Sequence, residues 1–376
     1  MNLQKITILF LILLITINIS VLGNDALDIS NVTHKKSFFN ENNTDVIIVG
    51  PYPQRASFDS IIIAWETSIE TQNNSVHFGL TPDCEKIIYN NYSNYFHKIE
   101  ICDLTPSMKY YYKVKSDFVE SKIYSFYTSF LQNDSIRFVV YGDSRGVWDN
   151  WINAEIVANA IKKEEPYFVL HTGDIVNDGR IAEQWIDFFS ISDFTHNSTL
   201  YPSIGNHENY GESYFKYFIL PNNEIWYSFD SGPVHFVSLD SNFINSIKLS
   251  QIFWLIKDLI VNKQPYTIVF FHHPLYSSGN HGSTFYLRLL WGFIFDYFKV
   301  DIVFNGHDHC YERGKVNNVN YIVTGGGGAP PYEVGSNWWT IYSEKTYHYC
   351  LVVANETGLS FKALKSDGTV FDSFFI

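Results

Sequence analysis

The chain has 376 residues, of which 46% are hydrophobic and 17% are charged. This length suits two domains or one large domain, and the hydrophobic fraction excludes wholesale disorder and fibrous proteins. With 39 acidic and 26 basic side chains, the formal net charge is −13 at pH 7. No basic surface for nucleic acid or anionic lipid is therefore expected, and an anionic substrate would need positive charge concentrated at its site, for which bound metal cations are one source.

Residues 1–23 have the pattern of an export signal that is cleaved. Lys5 is the only charged residue in this segment, an apolar run follows at residues 6–17, and the small residue Gly23 suits a cleavage site. An uncleaved membrane anchor is the alternative, but the run is short for a bilayer span. We therefore expect a secreted protein or one in a lysosome-like compartment, with no transmembrane span after cleavage.

Two further features agree with export. Seven Asn-x-Ser/Thr sequences are candidate glycosylation sites, namely Asn31, Asn42, Asn73, Asn91, Asn133, Asn197 and Asn355. Four cysteines, an even number, suit an oxidising compartment and predict disulfide bonds. Three pairings are open, and the local one joins Cys84 to Cys102 and Cys310 to Cys350.

The pattern along the chain predicts two domains after a polar linker at residues 24–44. Residues 45–131 contain short β-type runs separated by turn residues, which predicts a small β-sandwich. From residue 135 to 376, apolar strands alternate with helices, as is typical of a layered α/β domain with buried strands. Its predicted elements, in chain order, are a strand at 137–141, a helix at 151–164, a strand at 167–171, a helix at 181–189, strands at 200–204 and 234–239, a helix at 251–261 capped by Ser250, a strand at 266–271, a helix at 285–298, a strand at 302–304 and a β-type tail at 347–376.

Five of these strands are each followed by a loop that carries Asp, Asn or His. The loops are residues 142–146, 172–179, 205–208, 272–274 and 305–309. Because ligands bind beyond the carboxyl ends of strands in such sheets, we expect these side chains to lie at one edge. Each one alone is more typical of a turn or a helix cap, but five in order indicate a metal site.

The mixture of carboxylate, amide and imidazole ligands suits iron, zinc or manganese rather than calcium or a thiolate zinc site. Six ligands, with one carboxylate able to bridge, indicate a pair of ions of the kind that assists phosphoryl transfer.

The order of these motifs resembles the calcineurin-type metallophosphoesterases and, more narrowly, the purple acid phosphatases. The narrower likeness rests on His-His-Pro-Leu-Tyr-Ser-Ser-Gly at 272–279 and on Gly-His-Asp-His-Cys-Tyr-Glu-Arg at 306–313. Residues 51–54, 63–67 and 104–112 resemble the fibronectin-III-like N-terminal domain of that group. The resemblance covers nearly all of residues 46–376 and implies an α/β metallophosphoesterase sandwich preceded by a small all-β, fibronectin-III-like sandwich.

The resemblance also implies a role for each candidate ligand. The bridging ligand would be Asp174, the ligands of the first ion Asp143 and His309, and those of the second ion Asn206, His272 and His307. We call these two sets, each completed by Asp174, the first and the second metal position. By the same resemblance His207 would be the general acid for the leaving oxygen, whereas His281 is a weaker candidate for substrate contact, because an ordinary loop histidine explains it equally well.

The chain departs from the family pattern at the first metal position. Purple enzymes have a tyrosine three residues after the bridging Asp, where this chain has Asn177. The wider family can use a histidine two residues after the first Asp, where this chain has Arg145. Either water or Asn177 would fill the missing place, and no purple colour is expected. For Arg145 two roles stay open: phosphate contact, or an ion pair with Asp178 or another acid.

Together these features predict a secreted hydrolase that cleaves small phosphate monoesters by attack of a metal-bound hydroxide. A phosphodiesterase or nucleotide pyrophosphatase on the same scaffold is the first alternative. The second is a secreted binding protein that kept the fold without the chemistry. The N-terminal sandwich could mediate homodimer contacts or frame the rim of the site, and the sequence does not decide between these roles.

Overall fold

A computed structural model describes residues 46–376. The predicted signal and linker, with Asn31 and Asn42, lie outside the described residues. Within residues 46–376, no helix combines the length and the apolar character that crossing a bilayer requires.

The first eight strands form the all-β part that the sequence predicts. They are β1 Ile47–Gln54, β2 Ile61–Thr71, β3 Asn74–Gly79, β4 Lys86–Asn90, β5 Asn94–Ile101, β6 Lys109–Ser116, β7 Val119–Glu120 and β8 Tyr124–Tyr127. One antiparallel sheet has the order β1-β2-β5, and the other has the order β4-β3-β6-β7 with β8 also paired to β6. Ile63, Trp65 and Tyr112 belong to the apolar cluster of this part, so alternate strand residues supply its core.

The remaining strands and helices build a layered α/β domain. Its strands are β9 Ile136–Tyr141, β10 Phe168–His171, β11 Thr199–Pro202, β12 Tyr227–Ser231, β13 Val234–Ser238, β14 Tyr266–Phe270, β15 Ile302–Asn305, β16 Tyr311–Val316, β17 Val319–Thr324, β18 Thr340–Glu344, β19 His348–Asn355, β20 Gly358–Lys365 and β21 Val370–Phe375. Its helices are α1 Ile152–Lys163, α2 Ala182–Ile191, α3 Glu212–Tyr217, α4 Phe243–Ser246, α5 Leu249–Val261, α6 Phe285–Leu287 and α7 Phe293–Tyr297. A 3-10 turn lies at Asp193–His196, and a π turn at Arg288–Gly292 joins α6 to α7.

Two sheets pack face to face in this domain. The six-stranded sheet has the order β11-β10-β9-β19-β20-β21, and the seven-stranded sheet has the order β12-β13-β14-β15-β17-β16-β18. Phe236 of β13 meets Phe138 of β9 and Phe168 of β10, with ring centroids 5.1 and 5.3 Å apart. The fully buried strands explain the near-continuous apolar runs in the sequence, and the predicted α/β sandwich behind an all-β region is confirmed.

All four cysteines are free thiols, so the structure lacks the disulfide bonds that the sequence predicts. Cys310 directly precedes β16 of the seven-stranded sheet, whereas Cys350 lies on β19 of the six-stranded sheet. Both are buried, and the thiol of Cys350 donates to Thr324 Oγ1 at 3.4 Å. The Cys350 thiol thus contacts Thr324 of the seven-stranded sheet rather than Cys310, and nearness along the chain is a poor guide to pairing here.

Candidate metal centre

The five loops that carry Asp, Asn and His meet at one edge of the α/β domain. β9, β10 and β11 are parallel neighbours in one sheet, and β14 and β15 are parallel neighbours in the other. Backbone hydrogen bonds join loops that follow different strands: the N–H of Asp143 donates to the Gly173 carbonyl, and that of Gly306 donates to the His272 carbonyl, both at 3.0 Å. The strand ends therefore fix the loop positions, as parallel sheets usually do at a ligand site.

Three of the expected ligands have an uncommon backbone conformation. Asp143, Asp174 and His307 lie in the left-handed region, with φ of 58°, 57° and 70°. This conformation is unfavourable for residues other than glycine and is concentrated at functional sites. Here it occurs in the turn directly after β9, β10 and β15, where it directs the chain sharply away from each strand.

The second metal position is a convergence of hydrogen-bond acceptors around His272. Nδ1 of this buried histidine lies 3.0 Å from the Thr172 carbonyl and donates to it, so Nε2 is the nitrogen that a cation would bind in place of a second proton. That Nε2 atom lies 3.0 Å from Oδ1 of Asn206, 3.1 Å from Nδ1 of His307 and 3.4 Å from Oδ2 of Asp174. A shared cation satisfies such a set of acceptors, so these four residues fit a transition-metal ion.

The charges at this position also favour a cation. Burial opposes protonation of His272, but the neighbouring carboxylates, with Asp174 the strongest, raise its pKa to about 9. Burial likewise opposes ionisation of Asp174, yet His272, His207 and Arg145 together lower its pKa well below its usual range. The site thus keeps a buried carboxylate charged and attracts positive charge to the imidazole beside it.

The first metal position has a different arrangement. Nε2 of His309 lies 3.6 Å from Oδ1 of Asp143, a buried carboxylate oxygen that has no hydrogen bond. The guanidinium of Arg145 also lies here, with Nη2 at 2.9 Å from the same His309 nitrogen and Nε at 3.8 Å from Oδ2 of Asp174. Burial and the Arg145 charge lower the pKa of His309 to about 3. As placed, Arg145 leaves this position a poor fit for an ion.

The sequence profile of the calcineurin-like phosphoesterases matches residues 136–311, the stretch that carries all five loops. Residues 136–311 are a calcineurin-like phosphoesterase domain. The predicted recognition of this superfamily is therefore confirmed, and the metal-ligand motifs lie in the region that the profile covers.

Individual relatives extend beyond this domain. A phosphoenolpyruvate phosphatase of Allium cepa is 26% identical over 331 residues, which cover 76% of this chain and 65% of that protein. A purple acid phosphatase of Glycine max is 28% identical over 311 residues, which cover 72% of this chain and 66% of that protein. The chain thus spans just under two thirds of the length of these plant relatives. Among solved structures, the purple acid phosphatase PPD1 of Lupinus luteus is 21% identical, with a TM-score of 0.75 over 89% of this chain and 74% of that one, and so shares its fold.

His207 of the phosphoesterase domain lies beside the carboxylate of Asp174. Its backbone N–H donates to Oδ1 of Asp174 at 2.9 Å, and its Nδ1 lies 2.6 Å from the Asn177 carbonyl. Nδ1 therefore carries the proton, and Nε2 accepts a hydrogen bond from Nη1 of Arg145. Burial, reinforced by the Arg145 charge, lowers the pKa of His207.

The backbone of Asn177 supports His207. Its carbonyl accepts from the histidine, and its backbone N–H donates to Oε1 of Gln184 at 2.9 Å. Asp178 forms a two-point ion pair with Arg180, at 2.6 and 2.8 Å. Arg145 therefore does not pair with Asp178. It lies inside the site, where its Nε is 3.8 Å from Oδ2 of another acid, Asp174, which agrees with the ion-pair role that the sequence left open.

His281 also reaches the site. Its ring lies 4.4 Å from that of His307 and 5.5 Å from that of Tyr332, measured between centroids. The carboxylate of Asp308 fixes its loop by accepting from the backbone N–H of His281 at 2.7 Å and from the hydroxyl of Ser277 at 2.5 Å. The structure thus brings this weaker candidate to the rim of the metal centre.

Sequence reasoning assigned no role to two residues within its own motifs, Glu208 and Asp308. Glu208 is fully buried and accepts three backbone N–H groups, from Gly205 at 2.6 Å, Ile175 at 2.7 Å and Asp174 at 2.9 Å. Both acids stand in the same motifs as predicted ligands, Gly-Asn-His-Glu and Gly-His-Asp-His. This position in the sequence could have indicated that they belong to the site. Their task is to hold the loops that carry the ligands.

Tyr332 and His273 also lie at the site, and the sequence analysis assigns no role to either. The Tyr332 ring stacks on that of His309 at 4.3 Å, and the His273 ring lies 4.5 Å from that of His307. Tyr332 comes from the segment after β17 and belongs to no motif, so no sequence signal identifies it. His273 adjoins His272 in the His-His-Pro motif, and together with His307 these two form one of the clusters of closely spaced ligand atoms among residues 46–376.

Proposed function

We propose that this chain is a metal-dependent hydrolase of phosphate monoesters, secreted and similar in activity to the acid phosphatases. The observation that carries the proposal is the convergence of Asp174, Asn206, His272 and His307 on one point beside His207. The names of the onion and soybean relatives support the same reaction class. A small phosphorylated molecule is the substrate that a site at a loop-lined sheet edge would take.

When bound, a transition-metal ion polarises phosphoryl oxygens and lowers the pKa of water. The other contributions come from the chain itself. Arg145 presents N–H donors in the fixed fork that suits phosphate oxygens. Because a phosphate dianion is a stronger acceptor than imidazole, Arg145 would turn to the substrate and release Nε2 of His207. That nitrogen, with Nδ1 held by Asn177, is then free to take up a proton from solvent and pass it to the leaving oxygen.

The sequence predicts two ions, and the geometry supports the two positions unequally. The second position offers four converging ligands. The first offers Asp143 and His309 with Arg145 between them, so a dinuclear centre stays a prediction.

Secretion and glycosylation belong to the same proposal. Asn73, Asn91 and Asn133 are exposed, which attachment of a glycan requires. Asn197 is less suitable, because its side-chain oxygen accepts the backbone N–H of Ser125 at 2.8 Å in the contact between the two domains.

The test is hydrolysis of an aryl phosphate monoester by purified protein, across pH, with and without a chelator. Asp174→Asn should lower kcat/KM roughly 10²- to 10³-fold, because it removes the central charge of the site. Asp178→Asn is the matched control in the same loop, since Asp178 pairs with Arg180 outside the site, and it should retain turnover. His207→Ala should slow turnover and keep its metal.

Two results would overturn the proposal. The first is turnover of monoester that neither the chelator nor Asp174→Asn reduces. The second is a metal-loaded protein that cleaves a diester and no monoester, which would assign the scaffold to phosphodiester substrates.

A further inference from the structure

The positively charged side chain of Arg145 lies at the first metal position. Arg145 stands two residues after Asp143, where the wider family can place a metal-binding histidine. Its side chain is only 7% exposed, and its guanidinium lies between His309, His207 and Asp174. The Trp148 ring covers the guanidinium at 5.0 Å from the ring centroid. Burial on this scale requires neighbours that balance the charge, and the buried carboxylate of Asp174 does so here.

The guanidinium uses the lone pair that an ion would need. Nδ1 of His309 lies 3.0 Å from the Pro330 carbonyl and therefore carries the proton of the ring. Nε2 is thus the only nitrogen of His309 that could bind a metal, and it accepts from Nη2 of Arg145 at 2.9 Å. A metal ligand cannot direct the same lone pair to an ion and to an N–H donor.

Electrostatics act in the same direction. An ion at the first position would lie beside a guanidinium that is buried and always charged, and like charges repel strongly at such distances away from water. The Arg145 guanidinium already occupies this place, with Nε 3.8 Å from the buried carboxylate of Asp174. Arg145 thus performs part of the task of an ion, because it balances a buried carboxylate and presents positive charge to a phosphate.

Within residues 46–376, no such competitor lies at the second position. The acceptors around Nε2 of His272 come from Asn206, His307 and Asp174, and the guanidinium contacts none of them except Asp174, at 3.8 Å. The two clusters of closely spaced ligand atoms found among residues 46–376 both contain His272, and neither contains His309.

We propose that the guanidinium of Arg145 takes the place of the first metal ion, so that the chain binds one ion, held by Asp174, Asn206, His272 and His307. This inference depends on the metal centre but not on the proposed hydrolysis. It makes Arg145 a substitute for an ion as well as a phosphate ligand, and it explains why Asn177 need not be a ligand.

The test is metal content. Full-length purified protein is stripped with a chelator, loaded with excess Zn²⁺, freed of unbound ion by gel filtration and analysed by mass spectrometry of the elements. One zinc per chain is expected for the wild type. Arg145→Lys keeps the charge and should also hold one, whereas Arg145→His removes a permanent charge, supplies a ligand and should hold two. Two zinc ions in the wild type or in Arg145→Lys, or no gain in Arg145→His, would overturn the proposal.

A matched pair of variants locates the ion. His307 and His309 stand two residues apart in one loop, and each belongs to a different metal position. His307→Ala should lose the zinc, and His309→Ala should keep it, with circular dichroism confirming that both are folded. The reverse pattern would contradict the assignment. A chain that holds one zinc but hydrolyses no phosphate ester would refute the proposed function and leave this inference standing.

Discussion

Glu208 shows how a single buried carboxylate can organise a metal site without being a ligand. Its two oxygens accept the backbone N–H groups of Asp174, Ile175 and Gly205, so that one side chain fixes both the loop after β10 and the loop after β11. Burial, together with the Asp174 charge, raises its pKa to about 7. Space is equally restricted: a Cβ added to Gly205 would lie 2.2 Å from Oδ1 of Asp174, so only glycine fits there.

Replacing Glu208 should therefore weaken metal binding through the backbone. Glu208→Gln presents one acceptor oxygen in place of two, and an N–H₂ group would face a backbone N–H. We expect zinc affinity to fall roughly 10- to 100-fold, as for other residues that orient ligands. Zinc titration of the stripped protein measures this effect.

Glu212→Gln is the matched control for this measurement, because Glu212 is exposed at the first turn of α3. Unchanged affinity in Glu208→Gln, or an equal loss in both variants, would show that the carboxylate does not position the ligands.

At this scale the sequence predicts which side chains converge at the site better than what surrounds them. Asp143, Asp174, Asn206, His272, His307 and His309 were predicted as ligands because each stands in a motif at a strand end. The neighbours of Arg145 could not be predicted, since His207 and His309 follow it by 62 and 164 residues. Contacts between such distant residues depend on how the loops fold together, which spacing does not encode.

At the scale of elements, the side chain of His235 connects strands β12 and β13 to helix α5. It lies on β13 with only 8% of its side chain exposed, its Nδ1 is 2.6 Å from Asp230 of β12, and its Nε2 is 2.7 Å from Asp258 of α5. Burial opposes the charged form, but the two carboxylates outweigh it and raise the pKa of His235 to about 9. The histidine is therefore a charged link between a strand pair and the helix that covers it.

This link predicts a loss of stability in mild alkali. The pKa of His235 in the folded protein exceeds its value of about 6.5 in an unfolded chain, so the contribution to stability is complete below that pH and declines as pH rises through about 9. The loss amounts to roughly 3 kcal/mol at most, since each pKa unit corresponds to about 1.4 kcal/mol. Denaturant unfolding at pH 6.5 and 9.5 measures it. His235→Gln should unfold more easily at pH 6.5 and lose less stability between the two values, and an equal pH slope in both proteins would refute the link.

The order of elements was predictable, but their ends and some connections were not. α5 begins at Leu249, with Lys248 as the N-cap and no side-chain capping bond, rather than at Gln251 behind Ser250. The helix predicted at 285–298 contains a π turn at Arg288–Gly292. The β-type tail was expected, but its place beside β9 was not, because an antiparallel partner more than 200 residues away leaves no local periodicity.

At the scale of the whole molecule, the β-sandwich and the phosphoesterase domain share one apolar core. Val49, Tyr52 and Ala64 of the first part belong to the same buried cluster as β9 and β10. The Tyr52 ring lies 4.8 Å from that of Phe189 in α2, and its hydroxyl donates to the Tyr217 carbonyl at 2.8 Å. An interface this apolar favours joint unfolding, whereas separately folding domains usually meet through more polar contacts.

Residues 46–376 should therefore unfold in one cooperative transition, and truncating Tyr52 should lower the free energy of unfolding of both domains together. Tyr52→Ala removes a fully buried ring, which costs about 3–5 kcal/mol, whereas Tyr52→Phe loses only the hydrogen bond, about 1 kcal/mol. Tyr89→Ala is the control, because Tyr89 lies in the sandwich but is 68% exposed and should change stability by less than about 0.5 kcal/mol. Denaturant unfolding followed by tryptophan fluorescence and by metal release should give coincident curves in every variant. If Tyr52→Ala instead separated the two curves, the sandwich would be an independent unit attached to the phosphoesterase domain, and the shared core would not couple their folding.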